Sequence, residues 1–73
     1  MDKKLLDLEQ RGQNLKHLIS ISKYKTQEAF AEVVCVDVRT LRRWISNGFN
    51  CIDIAEICAD ALDVSVETIL FEN

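Results

Sequence analysis

Three arginines stand close together in the middle of the chain, at Arg39, Arg42 and Arg43. If this segment is helical, a rotation of about 100° per residue places all three on one face together with Ser46. The opposite face is then apolar and consists of Val38, Leu41, Trp44 and Ile45. A guanidinium binds phosphate and can donate two parallel N–H bonds to O6 and N7 of guanine. The pattern therefore indicates a nucleic-acid-binding face, with a solvated surface helix as the plainer alternative.

The other residues capable of chemistry do not form a recognisable catalytic or metal site. His17 is the only histidine, and the sequence offers it no evident partner for nucleophilic catalysis. Cys35, Cys51 and Cys58 lack the C-x-x-C spacing that is typical of zinc sites. No glycine-rich phosphate loop is present. We therefore expect no enzyme activity, no metal and no cofactor, and we expect the three thiols to be reduced and buried or half-buried.

Charge is distributed unevenly along the chain, whose net charge is −3. Residues 1–25 carry six Lys or Arg against three acids, residues 26–43 carry three of each, and residues 44–73 carry six acids without Lys or Arg. Because polyanion binding depends on the local patch, the negative total does not exclude nucleic acid as a partner. No acid lies between Asp37 and Asp53, so we expect the arginines to have no neutralising carboxylate.

Length and composition predict one small all-α domain. A chain of 73 residues buries only about 60% of the surface that its unfolded form exposes, which leaves room for one modest core. The absence of proline and the presence of only two glycines argue against strands joined by tight turns. The apolar runs fall far short of the roughly 20 residues that span a bilayer, and no secretory signal is recognisable. We therefore expect a cytoplasmic protein with no membrane segment.

Helical spacing and capping residues predict five helices. The first is either one long helix, with Gly12 as its weak point, or a short turn followed by a helix over 13–22. The expected N-caps of the second, third and fifth helices are Thr26, Asp37 and Ser65. The third helix is expected to end at Asn47-Gly48, since both residues tolerate the left-handed conformation of a helix end. The fourth takes its apolar face from residues 52–62.

Three short motifs follow one another along the chain. Residues 26–32 read TQEAFAE, residues 41–44 read LRRW and are followed by Asn47-Gly48, and residues 61–71 read ALDVSVETILF. In this order they resemble the phage-repressor/Cro-type (XRE-like) helix-turn-helix family, in its first motif helix, its recognition helix and its closing segment. The resemblance covers residues 15–71 and implies a compact five-helix, lambda-repressor-like domain with its helix-turn-helix at residues 26–46.

The resemblance also implies roles for individual residues. The residues that match DNA-contacting positions of the family are Gln27, Asp37, Val38, Arg39, Arg42, Arg43, Asn47 and Asn50. Gln27 and the loop from Asn47 to Asn50 match contacts to the DNA backbone, and the others match the recognition helix. The chain departs from the family at two points. Cys35 replaces the usual turn glycine, and one extra residue separates Trp44 from Gly48.

By this resemblance we expect a phage or prokaryotic transcriptional regulator that acts as a repressor. It would bind double-stranded DNA through residues 37–46 and would associate with the nucleoid when bound. A domain this small has limited contact area, so we expect a homodimer formed through Ile69, Leu70 and Phe71. The alternative is a protein-interaction module of the same fold, such as an antirepressor, antitoxin or inhibitor. It would use the acidic residues 44–73 to bind a basic protein partner.

Overall fold

The computed structural model describes residues 4–71, which form five α-helices and contain no strand. The helices are α1 (Leu8–Ile21), α2 (Gln27–Val33), α3 (Val38–Asn47), α4 (Ile52–Leu62) and α5 (Val66–Leu70). They pack into a body with extents of 36 × 22 × 19 Å. An isolated antiparallel bridge joins Leu5 to Phe71 and so brings the two ends of this part of the chain together. The predicted all-α, five-helix fold is confirmed for the described residues.

α1 begins at a capping box, which is an addition to the predicted caps. Asp7 Oδ1 accepts a hydrogen bond from the backbone N–H of Gln10 at 2.8 Å, and Gln10 Oε1 accepts one from the backbone N–H of Asp7 at 3.1 Å. This reciprocal pair satisfies donors that the start of a helix leaves without partners. The helix then runs without a break through Gly12, which is buried. The continuous form of the predicted first helix is therefore correct.

Three other helices begin at the residues predicted to cap them. Thr26, Asp37 and Ser65 each accept a backbone N–H from the first turn of α2, α3 and α5 respectively. α3 ends at Asn47, and Gly48 follows with a φ of +80°, a backbone conformation that favours glycine. α4 starts after Cys51 without a side-chain cap. Local capping therefore fixes where α3, the arginine-bearing helix, begins and ends.

The corner between α2 and α3 is a tight turn around Cys35. Cys35 has a φ of +60°, in the left-handed region that glycine adopts more readily. The backbone N–H of Val36 donates to the carbonyl oxygen of Ala31 at 3.0 Å and closes the turn. Ala31 is 2% exposed, and its small side chain suits the packing of α2 against α3. The predicted sharp turn is confirmed, and its central residue is held in a conformation that is unfavourable for a side chain.

The core lies between α1, α2 and α3, and α4 and α5 complete it. Its largest fully buried side chains are Leu15, Ile19, Phe30, Leu41, Cys58 and Ile69. α1 packs against α2, α3 and α5, while α4 packs against α5. Tyr24 covers one edge of this core. Its ring meets Phe30 edge to face with centroids 5.6 Å apart, and its hydroxyl donates to the carbonyl oxygen of Ala61 at 3.0 Å. α3 is therefore anchored on its inner side and is free to present its outer side.

The exposure of the cysteines differs from the prediction. Cys35 and Cys51 are exposed, and only Cys58 is buried. The reason is that Cys35 lies in the corner between two helices and Cys51 lies in the connection before α4, where neither is covered by another element. Within residues 4–71, no three His, Cys, Asp or Glu side chains come together as a group that could hold a metal ion.

The apolar residues near the C-terminus pack inward. Ile69 is fully buried, Leu70 packs against the core, and Phe71 is half-buried and bridged to Leu5. The segment before α1 covers this region, since the backbone N–H of Leu6 donates to the Leu70 carbonyl oxygen at 2.8 Å. Of the three residues expected at a dimer interface, Ile69 is therefore unavailable, whereas Leu70 and Phe71 keep part of their surface exposed, and the dimer itself stays a prediction. In the same described part of the chain, the helices are all too short or too polar to cross a membrane.

Candidate nucleic-acid interface

α3 presents one continuous exposed stripe, which we name the arginine face. It consists of Arg39, Arg42, Arg43, Ser46 and Asn47. These positions recur at the spacing of one side of a helix, and the opposite side carries Leu41 and Ile45, which are 0% and 6% exposed. The two-sided character of the helix is thus as predicted. Burial of the inner side fixes the rotation of α3, and that rotation aims the arginines away from the protein.

Trp44 and Val38 lie between these two sides. Both are half-buried and pack against the core. The predicted core position of Trp44 is confirmed, although the ring is not fully covered. The side chain of Val38 belongs to the packed side of α3 and is not brought together with the arginine face.

Asp37 has a local structural role at the start of α3. Its carboxylate accepts a hydrogen bond from the backbone N–H of Arg39 at 2.9 Å. This bond satisfies a free amide of the first turn, and the negative charge interacts favourably with the helix dipole. Asp37 therefore sets the position from which Arg39 projects.

Arg42 has a partner that its neighbours in sequence do not predict. Its Nη2 lies 3.5 Å from Oε2 of Glu28, an exposed residue in the first turn of α2. The expectation that no carboxylate neutralises the arginines is wrong for Arg42, because folding brings together residues 14 positions apart. Among residues 4–71, Arg39 and Arg43 are exposed and form no ion pair. The arginine face therefore carries two unpaired cations and one paired cation.

The other predicted site residues are polar and lie on α2, at the end of α3 and in the connection to α4. Gln27 is the first residue of α2 and is half-buried. Asn47 ends α3, and Asn50 is exposed in the connection to α4. Both asparagines can donate and accept hydrogen bonds. Their exposure leaves them available to a ligand that lies along α3.

Arg11 and Phe49 shape the connection that carries Asn50, and neither residue was predicted to do so. Phe49 is 4% exposed and anchors the connection in the core. Arg11 of α1 donates from Nη1 to the Phe49 carbonyl oxygen at 3.1 Å and from Nε to the Leu6 carbonyl oxygen at 2.9 Å. The only available signal was the aromatic residue directly after the helix-ending Gly48. Nothing in the local sequence indicates the contact of Arg11.

Acidic side chains gather on a different element. Asp53, Glu56 and Asp60 are exposed on α4, as is Ile57 between them. None of these acids forms an ion pair with another residue of 4–71. The separation of charge seen along the sequence is thus also a separation between helices, with cations on α3 and anions on α4.

No protein-family model matches the sequence, and a comparison with curated proteins finds no match. The fold and the exposed face define a small all-α protein with a two-helix corner and a cationic helix. Any further assignment rests on the residues of this chain.

Proposed function

We propose that the protein is a sequence-specific regulator of transcription that binds double-stranded DNA and inserts α3 into the major groove. The observation that carries this proposal is the arginine face. Its cations stand on the outer side of a helix whose inner side is locked into the core. With ten residues, α3 is about 15 Å long, and a major groove about 12 Å wide admits one α-helix.

In this proposal the residues divide into those that read bases and those that bind the DNA backbone. Arg39 and Arg43 are exposed and unpaired within residues 4–71, so their guanidinium groups can donate to O6 and N7 of guanine. Gln27 at the start of α2 and the polar residues from Asn47 to Asn50 supply neutral contacts to phosphate, which fix the orientation of the protein on the duplex.

The resemblance to the phage-repressor/Cro-type family supports the same function. It further implies that the protein is cytoplasmic and represses transcription. A small domain reaches few base pairs, so the proposal includes a homodimer on a two-fold-related operator. In such a complex the two copies of α3 would lie about 34–36 Å apart on one side of the duplex. In this dimer Leu70 and Phe71 can contribute to the interface, because both are partly exposed, whereas Ile69 is buried.

Binding to duplex DNA over a range of salt concentrations tests the proposal. Selection from a random duplex pool supplies the preferred sequence, and fluorescence anisotropy then measures the affinity. We expect the logarithm of the affinity to fall linearly with the logarithm of the salt concentration, because cations on the protein displace counterions from phosphate.

Replacement of Arg39 and Arg43 by Ala provides the direct test of the face. Each arginine that reads a base should contribute about 1–3 kcal/mol to specific binding. The fold should survive, because both side chains are exposed, and circular dichroism checks this. Lys16→Ala, which removes an exposed cation from α1, is the matched control. Equal duplex affinity of the double variant and the wild type would reject the proposal.

A second function, binding of a basic protein, is favoured by one observation on α4. Ile57 is 47% exposed, and Asp53 and Asp60 lie one helical turn before and after it on the same face. An apolar side chain with acidic neighbours complements a basic, amphipathic segment of a partner. The test is binding of the wild type to duplex DNA at low salt and to a basic amphipathic peptide. If it binds the peptide but not the duplex, and if peptide binding depends on Ile57, this second function replaces the first.

A further inference from the structure

Glu28 and Arg42 meet across the corner between α2 and α3. Glu28 belongs to the first turn of α2 and Arg42 to the middle of α3, and their charged atoms are 3.5 Å apart. The side chain of Arg42 is 55% exposed and that of Glu28 is 67% exposed. An ion pair that is this well solvated contributes little to the stability of a fold. Any effect of this ion pair should therefore concern binding at the arginine face.

A carboxylate beside the arginine face weakens attraction to a polyanion. Glu28 places negative charge next to a cation that would otherwise face phosphate, and it lowers the local positive potential. Its position in the first turn of α2 is favourable for the helix dipole. That effect concerns the start of the helix, however, and does not require contact with Arg42. Glu32 is also exposed on α2 and forms no ion pair within residues 4–71.

We propose that Glu28 is a specificity-determining residue of the DNA interface, which holds Arg42 for contact with a guanine edge and keeps it from phosphate. The inference rests on the proposed function. An arginine has five N–H donors, and the pair engages the Nη2 group of Arg42. Nη2 carries a second N–H, so one edge of the guanidinium keeps two parallel donors for the O6 and N7 acceptors of guanine. Glu28 thus lowers the affinity for DNA of any sequence and raises the discrimination between DNA sequences.

Neutralising Glu28 should release Arg42. A free guanidinium can turn to the nearest phosphate, and a phosphate contact forms equally well with any sequence. One added phosphate contact makes the slope of log affinity against log salt steeper by about 0.9. The orientation for base contact is lost at the same time. Affinity for unrelated duplex should rise while affinity for the preferred duplex stays the same or falls.

The experiment compares Glu28→Gln with the wild type on two duplexes of equal length, one selected from a random pool and one unrelated to it. The matched control is Glu32→Gln, which removes the same charge from the same helix but disturbs no ion pair within residues 4–71. We expect Glu28→Gln to lower the ratio of specific to nonspecific affinity about fivefold or more, the loss expected of one base contact. Glu32→Gln should leave that ratio unchanged. Urea unfolding shows whether the two variants are equally stable.

A second pair of variants shows whether Glu28 acts through Arg42. In an Arg42→Ala background, Glu28→Gln should no longer change the specificity ratio or the slope of the salt dependence. The difference between the two backgrounds isolates the coupling of the two side chains. An undiminished effect in the Arg42→Ala background would overturn the inference, because it would show a general effect of charge.

The outcomes separate the inference from the function on which it rests. If the wild type binds the selected duplex with salt dependence and Glu28→Gln leaves the specificity ratio unchanged, the inference fails and the proposed function stands. A loss of ratio equal in Glu28→Gln and Glu32→Gln also overturns the inference alone. If the wild type shows no salt-dependent duplex binding, both fail.

Discussion

Gly12 in α1 lies directly against the carbonyl group of Trp44 near the end of α3. A Cβ atom at Gly12 would stand 2.8 Å from the Trp44 carbonyl oxygen, and it would be closer still to the carbonyl oxygen of Ile45. These neighbours are backbone atoms, which cannot move aside as the end of a side chain can. The missing side chain of Gly12 therefore sets how closely α1 and α3 approach, and so where the arginine face stands relative to the core.

Gly12→Ala should destabilise the protein. Alanine favours a helix by about 1 kcal/mol relative to glycine, but forcing apart α1 and α3 should outweigh this gain and give a net loss of about 1–3 kcal/mol. Urea unfolding followed by circular dichroism measures the change. Gln13→Ala is the control, because Gln13 is exposed on the same helix. A free energy of unfolding that is unchanged or raised in Gly12→Ala would show that the two helices separate easily.

Trp44 should contribute to stability, but less than a fully buried aromatic residue. It is half-buried against the core, so we expect Trp44→Ala to cost about 2 kcal/mol, below the range of about 3–5 kcal/mol for fully buried tryptophan. The adjacent Arg43→Ala changes an exposed side chain and should stay within about 0.5 kcal/mol. The tryptophan emission of the wild type should shift to longer wavelength on unfolding in urea. Identical emission maxima in the folded and unfolded protein would contradict the packed position.

The left-handed conformation of Cys35 makes glycine the better residue at this corner. A side chain at a φ of +60° costs about 1–2 kcal/mol, and glycine loses about 0.5–1 kcal/mol through the entropy of the unfolded chain. We therefore expect Cys35→Gly to raise the free energy of unfolding by about 0.5–1 kcal/mol. Cys35→Val should lower it, because a β-branched side chain fits this region poorly. Thermal or urea unfolding of the two variants checks the sign, and a stabilising Cys35→Val would contradict the reasoning.

Features that depend on local sequence were predictable. Thr26, Asp37 and Ser65 cap helices because a short polar side chain reaches the amides of the next turn. The two faces of α3 follow from the helical period alone, since Leu41 and Ile45 repeat at the spacing that buries one side. These local signals fixed the helices and the direction of the arginines.

Features that arise from contact between distant segments were not predictable. The position of Glu28 beside Arg42 depends on how α2 turns into α3, and the sequence between them gives no angle. Gly12 was predicted to be the weak point of the first helix, because the close approach of α3 that requires a glycine there is seen only in the folded structure. The bridge between Leu5 and Phe71 likewise joins residues at opposite ends of the described chain. In each case the deciding neighbour is remote in sequence.

The buried thiol of Cys58 should make stability depend on pH in the alkaline range. Burial raises the pKa of Cys58 from 9.0 to about 12, because the core disfavours the thiolate. Between these values the unfolded chain releases the proton while the folded chain keeps it. The contribution of this group to stability is therefore intact below pH 9.0 and is lost as the pH rises toward about 12. The expected decline is up to about 1.4 kcal/mol per pH unit.

Urea unfolding at a series of pH values from 8 to 11 measures this decline. Cys58→Ala removes the thiol, so its stability should fall less steeply with pH than that of the wild type, even though the variant starts from a lower stability because of the cavity. Cys51→Ala is the matched control, because Cys51 is exposed and its replacement should leave the slope unchanged. Other alkaline groups titrate in all three proteins, so the comparison of slopes isolates Cys58. Parallel pH profiles for the wild type and Cys58→Ala would mean that the thiol ionises as readily in the folded chain as in the unfolded one, and that its burial in the core carries no electrostatic cost.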